Sequence, residues 1–427
     1  MKEPALEQGI PPLIRRNTIY LALTQALQGS TGQLAVTFGA VMVLQLLGSA
    51  SLAGIGGSII GLSRFAVSYP IGKLTDAYGR RVGAFVALVF GMVGSILLGL
   101  SIVFPSFPIF LVGMLILGLG TGAAMQMRVA AADMYPHDRR AEGLGYVLTG
   151  SVAGAVIATV LVVLAELTAG LTGTDGKSIA WFIVPLVLIP AVILVLRVRP
   201  DPKVIAENLD RYWPSYRSPP TVAATSATGN FRTFIRHRPK QVAYACYTAA
   251  QGTMSMMMVM TPLVMVENDH TLYAISIAIS FHVAGMYAFS IPIGRLADRT
   301  GRRILLGAGL GTQVVGAILV PVSPYYWIIT LGLFLVGLGW SAVNVSSTAI
   351  LVDTSTPEER GRAVGTNDML AGAITVGTPF MGGLVVASMG LMAVGLAGAA
   401  LALAPMFVLG RLRELSPGRY ESTTVAR

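Results

Sequence analysis

The stretch Gly72-Lys-Leu-Thr-Asp76-Ala-Tyr-Gly79-Arg80-Arg81 returns 222 positions later as Gly294-Arg-Leu-Ala-Asp298-Arg-Thr-Gly301-Arg302-Arg303. In both places an aspartate, a glycine and two arginines keep the same spacing between two long apolar stretches. An acid and a base follow each copy, Asp133 with Arg140 after the first and Asp353 with Arg360 after the second. A duplication of this kind indicates two related halves joined in tandem, each made of several apolar segments.

The composition and the distribution of apolar residues along the chain predict membrane-spanning segments. Of the 427 residues, 54% are hydrophobic and 12% are charged, whereas soluble domains carry about 25% charged residues. Twelve apolar stretches have the roughly 20 residues that cross a bilayer as a helix. They lie near residues 17–44, 52–71, 83–103, 108–131, 143–166, 179–197, 240–265, 272–293, 303–322, 326–351, 363–387 and 390–411. We therefore predict an all-α polytopic membrane protein with twelve transmembrane helices in two six-helix bundles, 1–197 and 240–427, joined by a cytoplasmic linker, 198–239.

The positive charge is explained by topology. There are 30 Lys and Arg against 20 Asp and Glu, a net charge of +10. All of the basic residues except Arg64, Arg128 and Lys177 fall in segments that lie on one side of the membrane if the N-terminus is inside. Cytoplasmic loops carry such an excess, so both termini are expected in the cytoplasm. We expect no nucleic-acid partner.

The doubled G-x-L-x-D-x-x-G-R-R loop resembles the signature loop of the major facilitator superfamily, and the resemblance covers essentially the whole chain. It implies a monomeric transporter of the bacterial inner membrane that works by alternating access, with no enzymatic activity. It also implies that the charged residues of the two loops, and the acid and base that follow each, form a cytoplasmic gate. These residues are Asp76, Arg80, Arg81, Asp133 and Arg140 in the first half and Asp298, Arg302, Arg303, Asp353 and Arg360 in the second.

Three departures disfavour the proton-driven drug antiporters of this family. Met114 stands where they carry an arginine in the fourth span, and the fifth span lacks their Gly-Pro motif. A comparable sequence, Gly377-Thr-Pro379, lies in the eleventh span instead. A buried acid would be the expected proton carrier, and the sequence places none near mid-membrane.

Soft metal ligands remain within the predicted spans. Met254 and Met258 share one face of the seventh span, and His282 and Met286 share one face of the eighth. Thioether and imidazole groups favour cuprous ion. These four positions resemble those of CcoA-like copper importers, which implies import of copper as cargo and no resident cofactor. Ordinary helical rise places Met254 and His282 at one level, so we predict a ladder of ligands rather than one closed cage.

An organic solute, such as a flavin or a drug, is the alternative cargo. It would depend on polar residues of the spans, namely Gln25, Gln28, Arg64 and Asn344. A receptor or assembly role on the same scaffold is a further alternative. Met256 and Met260 form a second pair with the spacing of Met254 and Met258, so the sequence leaves open which pair faces a cavity.

Overall fold

The structure is a computed structural model of the chain. It describes residues 9–136, 139–214, 237–355, 357–410, 412, 414–416 and 419–420; for residues 140, 141, 357–362, 414–416 and 419–420 it describes the backbone only. Residues 215–236 of the predicted linker lie outside this described part.

The chain is helical almost throughout. The helices are α1 (Pro12–Leu47), α2 (Ile55–Tyr78), α3 (Arg80–Val103), α4 (Phe107–Ala124), α5 (Gln126–Asp133), α6 (Arg140–Thr172), α7 (Gly176–Arg197), α8 (Pro202–Glu207), α9 (Leu209–Tyr212), α10 (Arg238–Glu267), α11 (Leu272–Tyr287), α12 (Ser290–Thr300), α13 (Arg302–Val322), α14 (Tyr326–Asp353), α15 (Pro357–Met389), α16 (Leu391–Leu403) and α17 (Met406–Leu409). A short 3₁₀ helix, Ala50–Leu52, precedes α2. Strands β1 (Glu414–Ser416) and β2 (Arg419–Tyr420) pair antiparallel near the C-terminus.

Within the described residues, twelve helical segments are long and apolar enough to cross a membrane. Each overlaps one of the twelve stretches predicted from hydropathy, and several extend a few residues beyond it. The predicted all-α polytopic membrane fold is therefore confirmed. Helices satisfy all of their backbone hydrogen bonds internally, which explains why apolar stretches of this length adopt no other structure in lipid.

The chain forms two compact units. The first comprises Met1–Gln33 and Ser63–Ala223, and within it α3 packs against α4 and α7. The second comprises Leu34–Leu62 and Ala224–Arg427. Within the second unit, α14 packs against α10, α11 and α13, while the 3₁₀ helix packs against α15. The division into 1–197, 198–239 and 240–427 follows the sequence repeat and stays a prediction.

The duplicated loop has the same backbone in both copies. Gly79 separates α2 from α3 with φ 100°, and Gly301 separates α12 from α13 with φ 95°. Residues with a Cβ avoid this region, so glycine is the residue that permits a helix to end and the next to begin within one position. The repeat in sequence is thus a repeat in structure.

Candidate functional site

Arg80 is the centre of the first charged loop. Its Nη1 lies 2.9 Å from Oδ1 of Asp76, and its Nε lies 2.9 Å from Oδ2 of Asp133. The arginine side chain is largely buried, whereas the Asp76 side chain is 71% exposed. Arg81 instead donates from Nη2 to the carbonyl oxygen of Leu196, at 2.9 Å, at the end of α7.

The second loop repeats this arrangement. Arg302 Nη2 lies 2.9 Å from Oδ1 of Asp298, and Arg302 Nε lies 3.4 Å from Oδ2 of Asp353. Arg303, beside it, is exposed. In each half the acid that follows the loop therefore lies beside the first arginine of the Arg-Arg pair that ends the loop, Arg80 or Arg302. The side chains of Arg140 and Arg360 lie outside the described residues, and the gating role of the ten charged residues stays a prediction.

Asp201 joins the first loop to the segment after α7, a contact that sequence reasoning missed. Its Oδ1 accepts from the backbone N–H of Arg80 at 2.9 Å, and its Oδ2 accepts from that of Arg81 at 3.1 Å. A Cβ on Gly79 would lie 2.6 Å from Oδ2, so only glycine leaves room for the carboxylate. Asp201 also accepts from the N–H of Lys203 and caps α8. In the sequence, the Asp201-Pro202 pair is a recognisable signal for the cap of α8. No such signal indicates that Asp201 also binds the backbone at the start of α3.

Aromatic and amide side chains meet near the middle of α10, within the second unit. The indole N–H of Trp340 donates to Oε1 of Gln251 at 2.7 Å, and Nε2 of Gln251 donates to Oγ1 of Thr375 at 3.4 Å. The ring centroids of Tyr247 and Tyr287 lie 6.3 and 6.1 Å from that of Trp340. We call these five residues the aromatic–amide cluster. They come from α10, α11, α14 and α15, and no local sequence pattern joins them.

Two residues of this cluster, Tyr247 and Gln251, belong to a helical repeat that can be recognised in the sequence. Tyr247, Gln251, Met254 and Met258 are spaced i, i+4, i+7 and i+11, which places them on one stripe of α10. Met254 is buried and Met258 is partly buried. The methionine pair chosen from the sequence thus shares its helix face with a tyrosine and a glutamine.

The second methionine pair faces a different neighbour. Met256 and Met260 pack against Gly382 of α15, where an added Cβ would lie 3.1 and 2.9 Å from their Cγ atoms. Both side chains are buried. Met257, between them, packs against Gly398 of α16. Three methionines of the run therefore fill space between helices.

His282 is completely buried and turned toward α14. Its Nδ1 lies 2.7 Å from the carbonyl oxygen of Leu333 and donates to it. The backbone at His282 is so close to Gly337 that a Cβ added to Gly337 would collide with the His282 carbonyl oxygen. Nε2 has no hydrogen-bond partner among the described residues. Met286, one turn farther along α11, is also buried.

The polar residues predicted for an organic solute are scattered. Gln25 donates to Oγ of Ser151 at 3.3 Å, and Arg64 donates from Nε to Oγ1 of Thr121 at 3.2 Å. Gln28 is 1% exposed, and neither end of its amide has a partner among the described residues. These three belong to the first unit, whereas Asn344, which is half-buried, belongs to the second.

Among the described residues, no three His, Cys, Asp or Glu side chains are close enough together to hold a metal ion. The thioether and imidazole set proposed from the sequence is a different kind of site. Its members are buried or partly buried on α10 and α11 of the second unit.

The arrangement is similar to that of known transporters. The family model described as Major Facilitator Superfamily matches residues 21–245 and 242–424. The uncharacterized MFS-type transporter YdeG of Bacillus subtilis is 29% identical over 396 residues, covering 92% of this chain and 90% of that protein. The riboflavin transporter RfnT of Brucella anthropi is 24% identical over 377 residues, covering 87% of this chain and 89% of that protein.

A solved structure shows the same fold. The crystal structure of a bacterial homolog of the human lysosomal transporter Spinster, inward-facing and unoccupied, gives a TM-score of 0.71 at 15% identity over 94% of this chain and 96% of that one. The two family matches together cover nearly all of the sequence, and the duplicated loop has one backbone and one pattern of ion pairs in both halves. The chain belongs to the major facilitator superfamily and is a multi-pass membrane transporter, not an enzyme.

Proposed function

We propose that this transporter carries a planar aromatic organic solute and that the aromatic–amide cluster forms part of its binding site. The observation that supports this most directly is the hydrogen bond from the Trp340 indole to Gln251, with the rings of Tyr247 and Tyr287 next to that of Trp340. Solute sites in proteins combine apolar and aromatic walls with a few oriented polar groups. The cluster has this composition.

The geometry suits a solute with a flat ring and hydrogen-bonding edges. An aromatic ring that stacks on Trp340 or a tyrosine gains about 0.5–1.5 kcal/mol beyond the area it buries. The Gln251 amide is oriented by the indole on one side, and its bond to Thr375 is long, at 3.4 Å. A solute carbonyl or imide group would replace that weak contact with a stronger hydrogen bond. Similarity to the riboflavin transporter RfnT makes a flavin the first solute to test.

The test is uptake of riboflavin and of other flat heterocycles by cells that express the chain. Trp340→Leu removes the ring and the indole donor, and we expect KM to rise roughly ten-fold, which corresponds to ~1.4 kcal/mol. Trp327→Leu is the matched control, because it lies on the same helix but its side chain is 68% exposed. Flavin uptake by wild type that Trp340→Leu leaves unchanged would contradict the proposal.

Copper is the second candidate, because a specific atom supports it. Nδ1 of His282 donates to Leu333, so Nε2 carries the lone pair, and it has no partner among the described residues. A buried imidazole nitrogen with an available lone pair is a metal ligand. Met254 and Met258 would supply thioethers from α10 and Met286 from α11, with copper as the transported ion.

Cellular copper content separates the two cargoes. If copper is carried, silver competes and zinc does not, because thioethers are soft ligands. A Met254→Leu, His282→Leu double variant then loses copper accumulation, whereas Met256→Leu, Met260→Leu retains it. Copper content that is equal in the double variant and in wild type would refute the copper candidate and leave the organic solute.

The orientation and assembly state are also part of the proposal. We propose that the protein lies in the bacterial inner membrane and acts as a monomer, and the charge asymmetry supports an orientation with both termini in the cytoplasm. Labelling of cysteines introduced one at a time at residue 9 and in the α6–α7 loop, in a Cys246→Ser background, tests the orientation. A membrane-impermeant reagent should reach only the second position from outside intact cells.

A further inference from the structure

A cavity of about 480 Å³ lies at the end of α7, within the first unit. Arg16 of α1 lines it together with four residues of the α7 end, Ile193, Leu196, Arg197 and Arg199. All three guanidinium groups belong to exposed residues. Nη2 of Arg16 donates to the carbonyl oxygen of Arg199 at 2.8 Å, which links α1 to the segment after α7.

The charge of this cavity is not compensated from within. Its five lining residues, all in the described part of the chain, include no carboxylate. Two other arginines of the same unit do have acidic partners: Arg80 pairs with Asp76 and Asp133, and Arg139 pairs with Glu142.

The acid nearest to Arg197 and Arg199 along the sequence already accepts other hydrogen bonds. Asp201 follows Arg199 by two positions, but its two carboxylate oxygens accept from the backbone amides of Arg80 and Arg81. Its negative charge is therefore directed at the N-terminus of α3. The three guanidinium groups are left to attract an external anion.

The remaining wall is apolar and faces outward. Ile193 and Leu196 are 46% and 49% exposed, and they lie on the last turns of a membrane-spanning helix. A ligand that contacts both the three arginines and the apolar wall needs an anionic head with several oxygens and an attached hydrocarbon chain. Guanidinium groups bind phosphate oxygens in pairs, and basic pockets at the cytoplasmic boundary of a membrane hold lipid head groups.

We propose that this cavity binds an anionic phospholipid, with the phosphate between Arg16, Arg197 and Arg199 and an acyl chain along Ile193 and Leu196. The site lies at the membrane boundary that the charge asymmetry assigns to the cytoplasm. It is independent of the transported solute, because no residue of the aromatic–amide cluster or of the proposed copper ligands takes part in it.

The experiment is native mass spectrometry of the purified full-length protein with phosphatidylglycerol and, separately, phosphatidylcholine. We expect retained phosphatidylglycerol to fall about ten-fold in an Arg197→Gln, Arg199→Gln variant, and phosphatidylcholine binding to be weak in both proteins. An Arg295→Gln, Arg299→Gln variant is the matched control, since it also removes two exposed arginines from a helix end on that side. It should retain phosphatidylglycerol as wild type does.

Two further arms make the outcome decisive. An Arg197→Lys, Arg199→Lys variant keeps the charge and loses the paired donors, so we expect intermediate retention and unchanged insertion. Glycerol phosphate should not displace the lipid, because it lacks the chain that Ile193 and Leu196 contact. Wild-type retention in the Gln variant, an equal loss in the Arg295 and Arg299 control, or displacement by glycerol phosphate would overturn the proposal.

Discussion

At the residue scale, the amide of Gln251 forms hydrogen bonds with two side chains from other helices. Its oxygen accepts from the Trp340 indole at 2.7 Å, and its nitrogen approaches Thr375 at 3.4 Å. Gln251→Leu leaves the indole N–H without an acceptor, and an unpaired polar group in the interior costs about 1–3 kcal/mol. We expect a lower melting temperature in detergent and weaker binding of the solute, measured by thermal-shift titration with riboflavin.

Gln241→Leu is the control for this change, because residue 241 lies on the same helix and is exposed. It should leave both measurements as they are in wild type. Gln251→Glu restores the acceptor for the indole and should recover the melting temperature more fully than it recovers binding. Recovery of binding to the same extent would show that the amide acts on the packing alone.

At the element scale, Asp201 connects two helix N-termini. It accepts from Arg80 and Arg81 at the start of α3 and from Lys203 at the start of α8. A negative charge at an N-terminus stabilises the helix, and loss of a cap costs about 0.5–2 kcal/mol. Asp201→Asn keeps one acceptor and removes the charge. We expect a lower maximal rate of uptake at unchanged KM, because Asp201 is not one of the residues of the proposed solute site.

The matched control is Asp175→Asn at the opposite end of α7. Asp175 caps its helix by accepting from the N–H of Lys177 at 2.8 Å, and its Oδ2 lies 3.1 Å from Nζ of the same lysine. It should cost similar stability in a denaturation assay but leave the rate of uptake nearly intact. Equal loss of rate in both variants would mean that Asp201 acts through stability and not by positioning the loop.

At the scale of the whole molecule, the two charged loops are alike in the ion pairs that Arg80 and Arg302 form. Asp76 and Asp298 are 71% and 70% exposed, so their ion pairs contribute at most about 1 kcal/mol to folding. Asp76→Asn should therefore leave expression and melting temperature intact. We expect several-fold slower uptake if the loop closes the predicted cytoplasmic gate, because a contact that favours the closed gate shifts the balance between conformations.

Asp298→Asn is expected to slow uptake less, since the pair from Arg302 to the following acid is longer, at 3.4 Å, than the 2.9 Å pair from Arg80. Both variants are compared by initial rates at equal amounts of protein in the membrane. Uptake by Asp76→Asn at the wild-type rate would show that the first loop is not part of the gate.

The sequence alone determined the number and approximate ends of the membrane spans and the duplication of the charged loop. Both depend on short-range properties: a bilayer requires a fixed length of apolar helix, and the positive φ at Gly79 and Gly301 requires glycine. The sequence also placed Met254 and Met258 on one face, because helical periodicity is local.

Only the tertiary structure decided which neighbouring helix each face of a membrane helix contacts. The rotation of a buried helix about its axis is set by packing with helices that are distant in the sequence, and hydropathy is nearly uniform around such a helix. Packing turned His282 to Leu333, set Met256 and Met260 against Gly382, and joined Gln251 to Trp340. It also brought Asp201 to the backbone of Arg80, a contact across 121 residues that no local pattern records.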